Sequence, residues 1–154
     1  MASSFKNRLN QVNSEADGGE LMFVHHVKVK MYHIDAAGVM FFGHYFYLAH
    51  DAYEAFLAEI SFPVEGILQQ DFLIPLTHAE ADYKVPVRLG DTLTIALQIE
   101  KIGNTSFTVH YSISNQSDRP VATVKTVHTT ISKHSFKPID IPPDFREALQ
   151  RFMQ

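Results

Sequence analysis

Asp35 is the residue whose type and surroundings most invite chemistry. It lies in Tyr32-His33-Ile34-Asp35-Ala36-Ala37-Gly38, among mostly apolar neighbours, and the segment leads into a helix start. Main-chain N–H groups at a helix N-terminus have no intrahelical partner and carry partial positive charge. A carbonyl oxygen placed there is polarised as in an oxyanion hole, an effect worth roughly 2.7–4 kcal/mol for one good donor. A carboxylate beside it can attack that carbonyl or activate water against it. Gly38 and Gly43 let the backbone approach a ligand closely. The competing reading is that Asp35 closes a turn or caps the helix, the commoner use of Asp in that place.

Other residues with chemical potential are scattered. Nine histidines are present. His25, His26, His110 and His128 fall in strand-like segments, where a hydrogen-bonded structural role is the default. His44 flanks the helix start and is a candidate for ligand contact. His50 and Glu54 stand at i, i+4 on one helix face, but no third ligand accompanies them, so no metal is expected. Glu54 remains a possible second carboxylate or an ordinary surface Glu. Phe41, Phe42, Phe46 and Tyr47 cluster at the helix start as core, as pocket wall, or as both. No Gly-x-Ser-x-Gly elbow, GxGxxG or phosphate-binding loop occurs.

Several elements must position these groups. Met22–Met31 alternates at strand period. Tyr45–Ile60 lacks Gly and Pro and places Leu48, Ala52, Ala55, Phe56 and Ile60 on one helical face. Ser61-Phe62-Pro63 ends it. Phe72–Tyr83 reads as a strand broken at Pro75. Asp91–Ile102 alternates, Gly103-Asn104 signals a hairpin, Thr105–Ser114 returns, and Val121–Lys133 is a β-branched run. Pro142-Pro143 announces a short helix over Asp144–Phe152. The expected class is α+β: one long central helix wrapped by a curved antiparallel sheet of about five strands. One helix covers only one sheet face, which predicts an oligomer.

Composition bounds the function. The 154 residues form one domain, with 45% hydrophobic residues. Residues 1–20 read as a mobile tail without the apolar core of a signal peptide, and 21–154 as the domain. The 13 Lys+Arg against 17 Asp+Glu give a net charge of -4, which argues against general nucleic-acid binding. No cysteine is present, which excludes a disulfide scaffold and a Cys nucleophile and fits a reducing, cytoplasmic setting. No run reaches the ~18 apolar residues of a membrane span.

The motif Asp35-Ala36-Ala37-Gly38-Val39-Met40-Phe41-Phe42-Gly43-His44-Tyr45 resembles the hotdog-fold acyl-CoA thioesterases of the 4-hydroxybenzoyl-CoA type. Pro86-Val87-Arg88-Leu89-Gly90-Asp91-Thr92-Leu93 matches the family's Pro and Gly-Asp before its third strand, and the likeness spans about residues 22 to 135. The segments His50–Ala55, Pro75–Tyr83, Leu93–Leu97 and Thr129–Ser135 resemble one branch, the cyanobacterial 1,4-dihydroxy-2-naphthoyl-CoA thioesterases of phylloquinone synthesis. His33, Ile34 and His44 depart from the family's usual residues.

The resemblance implies that Asp35 is the nucleophile or general base. It implies that the Phe42 N–H polarises the thioester carbonyl and that Gly38 permits the turn. His44, Tyr45 and His78 become candidates for the acyl group, and Arg88, Lys133, His134 and Lys137 for the coenzyme A phosphates. Some relatives carry their catalytic carboxylate on the helix, as Glu54 is here. No cofactor is implied, coenzyme A being part of the substrate. A homodimer or tetramer with its site at the dimer interface is implied as well. The alternatives are a broader acyl-CoA or acyl-carrier-protein thioesterase and a non-catalytic acyl-CoA-binding module.

Overall fold

The structure is a computed structural model that describes residues 12–15 and 20–154. In chain order the elements are β1 (Val12–Glu15), β2 (Leu21–Lys28), a 3-10 turn (Met31–His33), α1 (Phe42–Glu59), α2 (Val64–Ile67), β3 (Phe72–Leu73), β4 (Leu76–Tyr83), β5 (Thr92–Ile102), β6 (Ser106–Ser114), β7 (Pro120–Thr129), β8 (Ile131–Ser132) and α3 (Pro143–Gln150). One sheet has six strands in the order β1-β2-β5-β6-β7-β4, and β3 pairs with β8 apart from it. Every pairing within the six-stranded sheet is antiparallel.

The alternation read in the sequence is the physical basis of the core. Leu93, Ile95, Leu97 and Ile99 of β5 are buried, as are Phe107, Val109, Tyr111 and Ile113 of β6. Successive side chains of a strand point to opposite faces, so these eight form one apolar surface. α1 lies on it through Leu48, Ala52, Tyr53, Phe56 and Leu57. Phe56 meets Phe23 of β2 edge-on at 5.8 Å and Phe152 at 5.0 Å. Small Ala49 and Ala52 let the helix approach the sheet closely. Full burial of a large apolar side chain stabilises by ~1.5–3 kcal/mol, so this interface holds the fold together.

The expected α+β hotdog architecture is borne out, with differences of detail. The five long strands are present and β1 adds a sixth. Of the segment expected as a tail, Val12–Glu15 pair with β2 and the remainder up to Gly19 lies outside the described residues. The strand over 72–83 breaks at Pro75 into β3 and β4, and the run over 121–133 breaks at Thr130 into β7 and β8. The hairpin tip is Asn104-Thr105, one residue beyond Gly103-Asn104, because the Gly103 N–H bonds the Ser106 carbonyl at 2.7 Å. α1 begins at Phe42, three residues before Tyr45. Its N-cap is Phe41, with no side-chain cap, so the residue types that usually mark a helix start are missing.

His128 of β7 is buried under α1. Its ring stacks on Tyr53 at 4.2 Å and on Phe107 at 5.3 Å, and its Nε2 lies 3.0 Å from the Thr126 hydroxyl. Burial, then the nearby His50, pushes its pKa down to about 4. The folded state therefore keeps it neutral, while the unfolded chain protonates it near 6.5. Its contribution is full above 6.5 and is lost as pH falls toward 4, by at most ~1.4 kcal/mol per pH unit. The urea midpoint should accordingly fall between pH 6.5 and 4. In His128→Asn the slope should be shallower by up to one proton; an unchanged slope would refute the assignment.

Candidate active site

The segment between the 3-10 turn and α1 folds back on itself. The Phe41 N–H donates to the His33 carbonyl at 2.9 Å, and Ile34 and Met40 form an antiparallel bridge. Inside this clasp the Asp35 N–H donates to Val39 O at 2.9 Å and the Gly38 N–H to Asp35 O at 3.1 Å. The reversal requires a left-handed residue, and Gly38 takes it at φ +78°. The Asp35 carboxylate accepts the Ala37 N–H through Oδ1 at 2.8 Å, an Asx turn. Asp35 thus closes its own turn and does not cap α1, which starts seven residues later. Its second oxygen, Oδ2, has no protein partner among the described residues. One oxygen fixes the side chain and the other stays available.

The clasp delivers the chain into α1. The His44 N–H bonds Phe41 O at 3.0 Å, and the Phe42 N–H has no partner among the described residues. Below it opens a cleft of about 270 Å³ walled by Val39, Phe42, Tyr45, Tyr83, Lys84 and Pro86. The Tyr83 hydroxyl donates to the Phe42 carbonyl at 3.1 Å, and its ring meets Tyr45 edge-on at 4.8 Å. Burial raises the pKa of Tyr45, with Tyr83 adding to it, and burial also raises Tyr83. Both phenols stay neutral donors. Met40 N–H to Val87 O at 2.8 Å ties the clasp to the segment before β5. Sequence reasoning missed Tyr83 and Lys84. Their only sequence signal is their place at the end of β4, and it takes the sheet to set that end beside the helix start.

Around the clasp runs an aromatic ridge. His44 is half-buried, 5.2 Å from the His33 ring and 5.8 Å from the Tyr47 ring. Phe42 and Tyr47 are exposed, at 61% and 70%. Tyr45 is buried with only its edge on the cleft, whereas Phe41 and Phe42 face outward. Of the cluster expected as core or pocket wall, Phe41, Phe42 and Tyr47 are exposed and so are not core, and Phe46 is partly buried against it.

The remaining candidates divide between two ends of the sheet. Arg88 lies at the clasp end, exposed, its own N–H bonded to the Asp91 carboxylate at 2.9 Å. β7 runs from there to the opposite end, ten residues or about 33 Å. Lys133, His134 and Lys137 follow it. The Lys133 ammonium donates to Leu68 O at 2.7 Å, and His134 lies 3.7 Å from Asp71. The Lys137 N–H donates to the Ser135 hydroxyl at 3.3 Å. His78 pairs in register with Val127 near that end and reaches Glu80 at 2.8 Å. Glu54 lies about 18 Å along α1 from Phe42, bonded to His50 at 3.1 Å. Within one chain, then, Asp35, Gly38, Phe42, His44, Tyr45 and Arg88 lie at the clasp end of the sheet. Glu54, His78, Lys133, His134 and Lys137 do not join them.

Among the described residues no group of three His, Asp or Glu could hold a metal ion, and no helix is long and apolar enough to cross a membrane.

A curled sheet around one long helix, with an acidic clasp at the helix start, defines a hotdog-type acyl thioesterase scaffold. Residues 29–149 match the thioesterase-like superfamily, and the chain belongs to that family. It is 33% identical over 118 residues to a 1,4-dihydroxy-2-naphthoyl-CoA hydrolase of Synechococcus elongatus, spanning 75% of this chain and 86% of that protein. A solved 1,4-dihydroxy-2-naphthoyl-CoA thioesterase from Synechocystis superposes with a TM-score of 0.79 at 29% identity, over 84% of this chain and 96% of that one. A gentisyl-coenzyme A thioesterase structure gives 0.74 at 26% identity, over 82% and 98%. The resemblance read from the motifs is borne out.

Gly38 tests the clasp directly. A Cβ there would meet nothing within 4 Å, so Gly38→Ala adds only the left-handed penalty, roughly 1–2 kcal/mol. Thermal unfolding should show that loss, with Gly38→Asn losing less. Equal stability of Gly38→Ala and wild type would contradict the assigned backbone.

Proposed function

We propose that this protein hydrolyses an aromatic acyl-CoA thioester, 1,4-dihydroxy-2-naphthoyl-CoA, to the free acid and coenzyme A in phylloquinone biosynthesis. The observation that carries this reading is the clasp: a carboxylate with one pinned and one free oxygen, folded against an uncapped helix start. The kinship with the naphthoyl-CoA hydrolases supports the substrate.

The mechanism follows from the groups. The substrate carbonyl oxygen accepts the Phe42 N–H, and the helix start draws charge onto that oxygen. The free Asp35 oxygen attacks the carbonyl carbon or takes a proton from the attacking water. The carbon–sulfur bond breaks, and the coenzyme A thiolate leaves and takes up a proton; where Asp35 attacks directly, water then cleaves the acyl–Asp35 anhydride to the free acid and the regenerated carboxylate. The flat acyl group lies along the aromatic ridge, with His44 and Tyr45 close to its ring hydroxyls. Asp35, its turn and the helix start supply this chemistry without a cofactor.

The working unit is a homo-oligomer. β4 is the edge strand of the sheet and is exposed along nearly its whole length, an edge that a second chain can pair with. Antiparallel pairing of two β4 edges about a two-fold axis sets the far end of one subunit beside the clasp of the other. Glu54, His78, Lys133, His134 and Lys137 then approach a neighbour's Asp35, and the cations meet the phosphates of coenzyme A.

Free-thiol release from a panel of acyl-CoA thioesters tests the reading. Dihydroxynaphthoyl-CoA should be preferred over gentisyl, benzoyl and aliphatic thioesters. Asp35→Asn keeps an acceptor for the Ala37 N–H, so it should fold normally and lose about 10²–10⁴ of kcat. Turnover that persists in Asp35→Asn would refute the mechanism. Equal rates on aliphatic thioesters would refute the substrate and leave the mechanism standing, and no turnover on any thioester would favour a binding module.

A further inference from the structure

His33 is a buried residue the mechanism leaves unused, and it contacts the turn before the clasp, the clasp's closing residue Phe41 and the first turn of α1. Only 4% of its surface is exposed. Its Nδ1 accepts the Lys30 N–H at 2.9 Å, while its carbonyl accepts the Phe41 N–H at 2.9 Å. Its ring packs edge-on against Tyr32 at 4.2 Å and against His44, in the first turn of α1, at 5.2 Å. Asp35 follows two residues later, and Phe42 follows the residue that His33 holds. One residue therefore joins three parts: its imidazole meets the turn before the clasp and the helix behind it, and its backbone carbonyl closes the clasp.

We propose that His33 is a positioning residue for the reaction, acting in its neutral form with the proton on Nε2, and that protonation of its ring releases the Asp35 loop from the start of α1. The proposal rests on the reading of Asp35 and Phe42 as the reacting groups. A neutral imidazole has one donor and one acceptor nitrogen. The Lys30 N–H needs the acceptor at Nδ1, which leaves the proton on Nε2. The imidazolium carries hydrogen on both nitrogens, so two donors would then face each other across 2.9 Å. The ring or the Lys30 peptide must move, and the Phe41 bond is on the same residue.

The charged and titratable groups around the ring are His44 and Asp51 from α1 and Lys30 from the preceding turn, with Tyr32 and Asp35 on the same segment. Loss of water around the ring, then His44, lowers its pKa below 6.5; Asp51 opposes this and Lys30 adds to it. The neutral clasp is therefore complete above pH 6.5 and is lost as pH falls through the lowered value.

The test compares wild type, His33→Gln and His33→Leu in kcat/KM from pH 5 to 8.5. Gln in the third position of a turn can accept the same N–H but does not titrate. His33→Leu should lower kcat by about tenfold or more at pH 8, with KM changed far less, because the reacting groups lose their alignment, and the deficit should shrink toward pH 5, where wild type itself loses the clasp. His33→Gln should recover most of that loss at pH 8, and its acid limb should lie at lower pH than that of wild type. An acid limb in His33→Gln identical to wild type, or full kcat in His33→Leu, would overturn the proposal.

Nitrogen-15 NMR of the histidine rings provides a readout independent of turnover. It should show the Nε2–H form at pH 8, with the Lys30 amide shifting along the same titration curve as the ring. A proton on Nδ1 at pH 8 would overturn the proposal whatever the kinetics. Asp35→Asn should keep this coupled titration while losing turnover. If Asp35→Asn stays active, the catalytic reading fails, and the ring titration still decides the clasp.

Discussion

The burial of one face of an eighteen-residue helix in a single curled sheet constrains everything else in this protein. α1 has no alternative seat: Leu48, Ala52, Tyr53, Phe56 and Leu57 fit only the apolar surface made by β5 and β6. Once the helix lies there, its first turn emerges at one end of the sheet. The segment arriving from β2 must turn sharply to meet it. The Asp35 clasp is that turn, and its place is set by the packing below it. The helix start is free of a side-chain cap, so the Phe42 N–H remains open to a ligand while that of His44 bonds Phe41 O.

The clasp leaves room on one carboxylate for the proposed chemical role beside its structural one. The Asx bond to Ala37 would be a sufficient reason for an aspartate at position 35. The geometry uses only one of the two oxygens for it. A side chain fixed by one oxygen has little rotamer freedom left to lose, which suits a group that must meet a carbonyl at a set distance. The same economy recurs at Phe41, whose N–H closes the clasp at His33 and whose carbonyl receives the first-turn N–H of His44.

The charge distribution divides by position on the sheet. Arg88 stays at the clasp end, while Lys133, His134 and Lys137 sit at the other end of β7. About 33 Å of β7 separates the two groups within one chain. The exposed edge of β4 lies between the two ends. On the outer face of the sheet, the exposed Lys125–Glu100 pair at 2.9 Å contributes little to stability, as surface ion pairs do.

The amino-acid order alone makes legible the antiparallel α+β class, the long helix, the break at Pro75 and the motif around Asp35. Each is a local property: alternation in β5, the apolar stripe on α1, a proline without an N–H, an Asp and a Gly three residues apart. It also identified the family, because the Asp35 and Pro86–Leu93 motifs stand in the right order. The start of α1 was not legible, since Phe41 offers no capping side chain and Gly43 reads as loop. Tertiary structure alone decided which candidates meet. Tyr83 reaches Phe42 across forty-one residues because antiparallel pairing carries the end of β4 back to the helix start. The same pairing sends Lys133 and Lys137 to the far end. Spacing along a chain fixes what adjacent residues can do together, but the distance between residues far apart in sequence is set only when the sheet registers and the helix packs against it.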